Sequence, residues 1–285
     1  MKIFLDCLPC MLRQVLESAH MATDDETIRE DIMDEAMEVL LRYRQYGCAP
    51  KLCEAMHTIV KKHTGVDDPY AEVKSRDISG ALKLEPVIRK FAAGGDNLLV
   101  RLLKVSATGN IMDSAVYSDL DIEACLAEEI EKPFVICDDE EFNKDIDGAK
   151  TILIIGDNAG EAVFDKPLAE YLSHDYKVIY AVRDVPIIND ATVEDALKTG
   201  IADYSDVIST GCGMPGTVIE SCNEEFKKIY NDADVVISKG QGNFEALSDT
   251  TRGVYFLLKA KCYRIADALG VEINEYVFKK NRYGI

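Results

Sequence analysis

One stretch limits what this chain can fold into: Thr151-Ile-Leu-Ile-Ile-Gly-Asp-Asn-Ala-Gly-Glu161. Five β-branched or apolar residues run without alternation into Gly156, and a helical pattern, Ala162 to Ser173, follows. An uninterrupted apolar run of this length reads as a strand covered on both faces, and the glycine-rich turn leads it into a helix. Asp157 and Asn158 then stand at the carboxyl end of the strand, where open α/β sheets bind their ligands. Their hard oxygens suit Mg²⁺ or Mn²⁺ better than zinc or copper.

Further strands are predicted at Phe134–Cys137, Lys177–Val182, Val207–Ser209, Asp234–Ser238 and Gly253–Leu258. Helical stretches separate several of them, at 192–199, 218–230 and 244–249, and the tail 262–270 is helical. Strands alternating with helices imply right-handed crossovers and a mostly parallel, three-layer α/β/α Rossmann-like sheet. Before residue 133 the pattern is helical, with apolar residues at three- and four-residue steps such as Ile32, Ala36, Val39 and Leu40. Asp6 is the expected N-cap of the first helix, and Gly65 to Tyr70 breaks the array. We therefore divide the 285 residues into a helical module, 1–132, and a Rossmann-like domain, 133–285, with a shared core.

Charge narrows the partners. The chain carries 51 acidic and 32 basic residues, a net charge of −19. Nucleic acid and anionic membrane surfaces both need clustered Lys and Arg, so neither is expected. A small anionic substrate remains compatible, because one cation and a few donors reverse the potential locally. No signal-peptide pattern opens the sequence, which points to the cytoplasm. Nine scattered cysteines argue against a disulfide framework. Cys7 and Cys10 form a CxxC, which is half a zinc site that Cys48 and Cys53 would have to complete. The redox reading lacks a preceding strand, and structural thiols are the third reading.

In a parallel sheet all strand-to-helix loops share one rim. Here they read Gly156–Glu161, Arg183–Asp190, Thr210–Gly216 and Lys239–Glu245. That rim gathers the acids Asp157, Asp184 and Asp190, the amides Asn158, Asn189 and Asn243, and Lys239 beside Gly240. Acids fix a divalent metal, whereas a lysine, backbone N–H groups and helix amino termini bind phosphate. Carboxylates beside phosphate donors signify metal-assisted phosphoryl chemistry. His57 and His63 read as structural. Gly109-Asn-Ile-Met-Asp113 reads either as a helix end with Asp113 capping the next helix or as part of the site.

Taken with Cys7-Leu-Pro-Cys10 and Asp68-Pro-Tyr70, these motifs resemble the metal-dependent damage-control phosphatases. That ARMT-like family is also grouped as domain of unknown function 89. The resemblance spans essentially the whole chain, and the CxxC resembles the stand-alone branch found in archaea and other microbes. It implies phosphomonoester hydrolysis on small damaged or surplus phosphometabolites, such as sugar phosphates or phosphopantetheine-type compounds, with Mn²⁺, Co²⁺, Ni²⁺ or Mg²⁺. It further implies Asp157, Asn158 and Asp190 as metal ligands, with Asp184 competing for the third place. Lys239 would hold the phosphate, with Asn110, Asp113, Gly240 and Asn243 nearby, and Glu161 or Asp113 would orient the water. Two rival readings are a methyltransferase using S-adenosylmethionine and a non-catalytic metal- or phosphate-binding module. The first turn lacks the GxG pair that a nucleoside-binding unit uses.

Overall fold

The computed structural model describes residues 1–94, 97–109 and 122–281. The chain begins with three helices: α1 (Cys7–Ala22), α2 (Glu26–Leu40) and α3 (Ala49–Thr64). Each presents an i, i+4 stripe, such as Met11, Val15 and Ala19 or Ile32, Ala36 and Leu40, and the stripes meet in one apolar cluster. Asp25 caps α2 by accepting from the amides of Thr27 and Ile28. Left-handed Gly65 ends α3 and donates its N–H to the Lys61 carbonyl. Asp6 precedes α1 as expected but caps nothing with its side chain. Its carboxylate accepts from Arg264 Nε at 2.6 Å instead.

The next two helices, α4 (Ala71–Ala92) and α5 (Leu98–Thr108), pack differently. Their buried residues, among them Ile78, Ala81, Leu99 and Leu103, join the apolar cluster that covers one face of the sheet.

Among the described residues the sheet has seven strands. After α6 (Ile122–Glu131) come β1 (Phe134–Cys137), α7 (Asp139–Ile146), β2 (Thr151–Ile155), α8 (Glu161–Ser173) and β3 (Lys177–Val182). They are followed by α9 (Val193–Thr199), β4 (Asp206–Ser209), α10 (Glu224–Asp232), β5 (Val235–Lys239) and α11 (Gly240–Leu247). The chain closes with β6 (Tyr255–Lys259), α12 (Tyr263–Leu269) and β7 (Tyr276–Lys280). Strand order is β1-β7-β6-β5-β2-β3-β4. β2 to β6 are parallel; β7 runs antiparallel to β6 and pairs in parallel with β1. The apolar runs are double-sided as expected. Ile152 and Ile154 of β2 enter one cluster, whereas Leu153 and Ile155 enter the cluster on the opposite face.

Four local expectations need correction. α7 and β7 were not read from the sequence: α7 is an acidic eight-residue helix, and β7 ends in two lysines that blur its apolar signal. The stretch 218–230 is two pieces, a 3₁₀ turn at Ile219–Ser221 and then α10, whose start Asn223 fixes by accepting from the Phe226 amide. The Lys239 loop is the first turn of α11, so strand passes to helix at Gly240. Gly109 closes α5 with φ −52°, so no left-handed cap explains it. A β-carbon there would come 2.8 Å from Phe164 Cβ and 2.9 Å from Glu161 Cγ. The glycine lets α5 touch the first turn of α8.

The topology positions the site. From β2 the chain moves outward through β3 and β4, then returns to β5 on the other flank of β2. The reversal falls between the carboxyl ends of β2 and β5, the switch point where open α/β sheets bind ligands. No helix among the described residues is long and apolar enough to cross a membrane.

Candidate active site at the β2–β5 switch point

The loops after β2 and β3 are zipped together by their backbones. Ala191 N donates to Asp157 O at 2.8 Å and Ala159 N to Asn189 O at 2.9 Å, which pairs Asn158 with Asp190 in an antiparallel bridge. Asp157, Asn158 and Asp190 thus converge, all three buried. Gly156 makes the turn feasible, because a β-carbon there would lie 2.7 Å from the Tyr180 hydroxyl. Asp184, the competing acid, is exposed and accepts from Ser209 Oγ at 2.6 Å beside edge strand β4. Geometry therefore brings Asp190, and not Asp184, to Asn158.

Behind these ligand candidates lies Arg183, 1% exposed at the end of β3. Its Nε donates to Asp190 Oδ2 at 2.7 Å and its Nη1 to Thr217 Oγ1 at 2.8 Å. Its Nη2 stands 3.7 Å from Asp157 Oδ1. One guanidinium thus spans both acids and a third loop. Asn243 of α11 ties the remaining segments. Its Nδ2 donates to Gly156 O and Lys239 O, and its Oδ1 accepts from the Thr217 amide and hydroxyl. That accounts for the full donor and acceptor capacity of the amide, so Asn243 serves here as a tie between loops.

Lys239 sits in a second, adjoining cluster. Its ammonium donates to Glu161 Oε1 at 2.5 Å, Asp165 Oδ1 at 2.6 Å and Ser106 O at 3.2 Å. Asp165 also accepts from Ser106 Oγ at 2.5 Å and from the Tyr180 hydroxyl at 2.7 Å. Burial disfavours a charged lysine, but attraction from Asp165 and Glu161 more than reverses this and holds Lys239 as an ammonium. Glu161 has its carboxyl pushed well up, by burial first; Lys239 opposes the rise, and Asp165 and Asp157 add to it. Its Oε2 has no hydrogen-bond partner among the described residues.

These two clusters together hold four carboxylates, Asp157, Glu161, Asp165 and Asp190, against two cations, Lys239 and Arg183. Buried carboxylates gathered this closely favour a further positive charge beside them. A divalent ion would supply such a charge. The oxygens of Asp157, Asn158 and Asp190 are the donors that would receive it, and they are hard donors as Mg²⁺ or Mn²⁺ require. This set has only two acids and an amide. Among the described residues no group of three or more His, Cys, Asp or Glu side chains is arranged to hold a metal.

Of the other residues singled out, Gly240 carries φ +78° and packs against the Asp157 carboxylate. Asn110 and Asp113 lie outside the described residues. Asp68 pairs with Lys74 at 2.7 Å, and the same ammonium reaches Asp195 at 2.7 Å, so this turn is pinned to α9. All nine cysteines are free thiols. Sequence reasoning missed Arg183, Asp165, Ser106 and Thr217 as parts of the site. Asp165 had a readable signal, since it follows Glu161 by four residues on one helix face. Arg183 had a weaker one, as the first residue of the β3 loop.

Acids and amides gathered at the switch point of a mostly parallel sheet mark an α/β/α protein whose candidate site stands where such sheets bind ligands. Residues 3–277 match the damage-control phosphatase ARMT1-like domain, and the chain belongs to that family. It is 34% identical over 288 residues to a damage-control phosphatase of Pyrococcus horikoshii, with 99% of each chain covered. Identity to a damage-control phosphatase of Archaeoglobus fulgidus is 32%, over 98% of this chain and 99% of that one. The crystal structure of a family protein from Pyrococcus horikoshii, grouped under domain of unknown function 89, superposes with a TM-score of 0.90 at 34% identity. That match covers 99% of this chain and 100% of the other. The family and the α/β fold expected from the motifs are therefore both present.

Proposed function

We propose that this chain is a divalent-metal-dependent phosphatase that hydrolyses phosphomonoesters of small metabolites, with sugar phosphates and phosphopantetheine-type compounds as the substrate classes. Relatives named damage-control phosphatases, aligned over nearly the full length, support the phosphatase role. The observation that carries the metal dependence is the backbone zipper that brings Asp157, Asn158 and Asp190 together. Mn²⁺, Co²⁺, Ni²⁺ and Mg²⁺ all accept such donors. When bound, the cation supplies Lewis acidity and neutralises phosphate charge.

The chain's own groups do the rest. Arg183 keeps the two ligand carboxylates apart at a fixed spacing. Lys239 supplies positive field toward the developing charge on the phosphoryl oxygens. Direct contact with phosphate requires it to release Glu161 or Asp165. In this reading Glu161 orients the attacking water through Oε2 and takes its proton as the phosphorus–ester oxygen bond breaks. The departing alkoxide is protonated by solvent.

The test is hydrolysis of p-nitrophenyl phosphate with Mn²⁺. Asp190→Ala should lose at least about 100-fold, the upper range for disturbing a metal site, while Asp184→Ala should stay near wild type. Equal losses in both variants, or activity that survives EDTA, would reject the reading.

A further inference from the structure

The turn that delivers Asp190 contains a conformation its sequence does not favour. Asp190 N donates to Ile187 O at 3.1 Å, closing a β-turn whose first central residue is Ile188. Ile188 has φ +47°. Such turns normally place Gly, Asn or Asp there, and a β-branched residue in the left-handed region is an outlier that persists only where its surroundings impose it.

The imposing surroundings are visible. The Ile188 side chain packs against the apolar cluster of α1, α2 and α3. One turn along α3, Lys61 Nζ donates to Pro186 O at 2.6 Å, tethering the same loop by its backbone. α3 lies close along this rim. Its Pro50 Cγ is 3.0 Å, and its Glu54 Oε1 3.5 Å, from where β-carbons on Gly216 and Gly213 would stand.

We infer that Ile188 and Lys61 are positioning residues through which the α1–α3 bundle holds the β3 loop, and with it Asp190, in register against Asn158. This rests on Asp190 serving as a metal ligand. A glycine at 188 would relieve the backbone and surrender the anchor. The isoleucine does the opposite, accepting a strained turn in exchange for a fixed loop. The α1–α3 bundle then acts on the site by fixing ligand geometry, without itself touching metal or substrate.

Mn²⁺ affinity, measured by isothermal titration on the full chain, tests this together with kcat on p-nitrophenyl phosphate. Ile188→Gly and Lys61→Met should each weaken Mn²⁺ binding by about tenfold or more, the range seen when support behind a metal ligand is removed. Ile188→Leu, which keeps an apolar anchor, should restore near-wild-type affinity. Ile32→Val softens the same cluster away from the loop and should lower the melting temperature with affinity unchanged. Wild-type affinity in both Ile188→Gly and Lys61→Met overturns the inference, as does an equal loss in Ile32→Val. Should Ile188→Gly not fold, Lys61→Met decides alone. Asp157→Ala separates the two layers. If it binds Mn²⁺ undiminished, the metal reading falls; if it loses binding while the positioning variants do not, only this inference falls.

Discussion

Gly240 and Asp157 occupy adjoining space with no room for a side chain between them: a β-carbon on residue 240 would overlap the Asp157 carboxylate. Gly240 also holds φ +78°, a conformation that costs any other L-residue about 1–2 kcal/mol. Gly240→Ala should therefore displace Asp157 as well as strain the start of α11. The expected outcome is a lower melting temperature together with weakened Mn²⁺ binding. An alanine variant with wild-type metal affinity would show that Asp157 tolerates displacement.

Lys239 is fully buried with Glu161 and Asp165. Removing one partner from a buried ionic cluster typically costs about 3–5 kcal/mol, because the remaining charges lose their compensation. Lys239→Met should lose stability on that scale in urea denaturation, besides losing activity. A variant that is inactive yet as stable as wild type would assign Lys239 to phosphate contact alone.

His57 gives the stability a pH dependence. It is 3% exposed, and its Nε2 lacks a hydrogen-bond partner among the described residues. Burial first, and the Lys61 charge second, push its imidazole down from 6.5 to about 4. The unfolded chain takes up a proton below pH 6.5 that the folded chain refuses until about pH 4, so stability falls with acidity across that window. The loss attributable to this group approaches about 3 kcal/mol. Denaturation at several pH values should show a shallower acid loss in His57→Leu than in wild type. Identical slopes would mean that His57 takes up its proton over the same pH range folded and unfolded.

What the sequence disclosed follows the physics of each feature. β2 was legible because burial on both faces leaves an unbroken apolar run, and Asp157 and Asn158 because a strand end fixes where its next residues stand. The shared rim offered Asp184 and Asp190 alike, and only the family resemblance favoured Asp190. β7 was not legible, since Lys279 and Lys280 end it and its pairing is antiparallel in an otherwise parallel context. Arg183 escaped notice because a buried arginine looks, in sequence, like a surface one. Its role exists only once Asp157, Asp190 and Thr217, up to sixty residues apart, are folded around it. Ile188 is legible only from its backbone angle.

The central claim is that Asp157, Asn158 and Asp190 form one divalent-metal site on which phosphoester hydrolysis depends. Titrating metal-stripped protein with Mn²⁺, while following both binding and p-nitrophenyl phosphate turnover, tests it most directly. The account predicts a single site whose occupancy tracks turnover in wild type, with both lost together in Asp157→Ala. Turnover in the metal-stripped protein, or Mn²⁺ binding unchanged by Asp157→Ala, would contradict it.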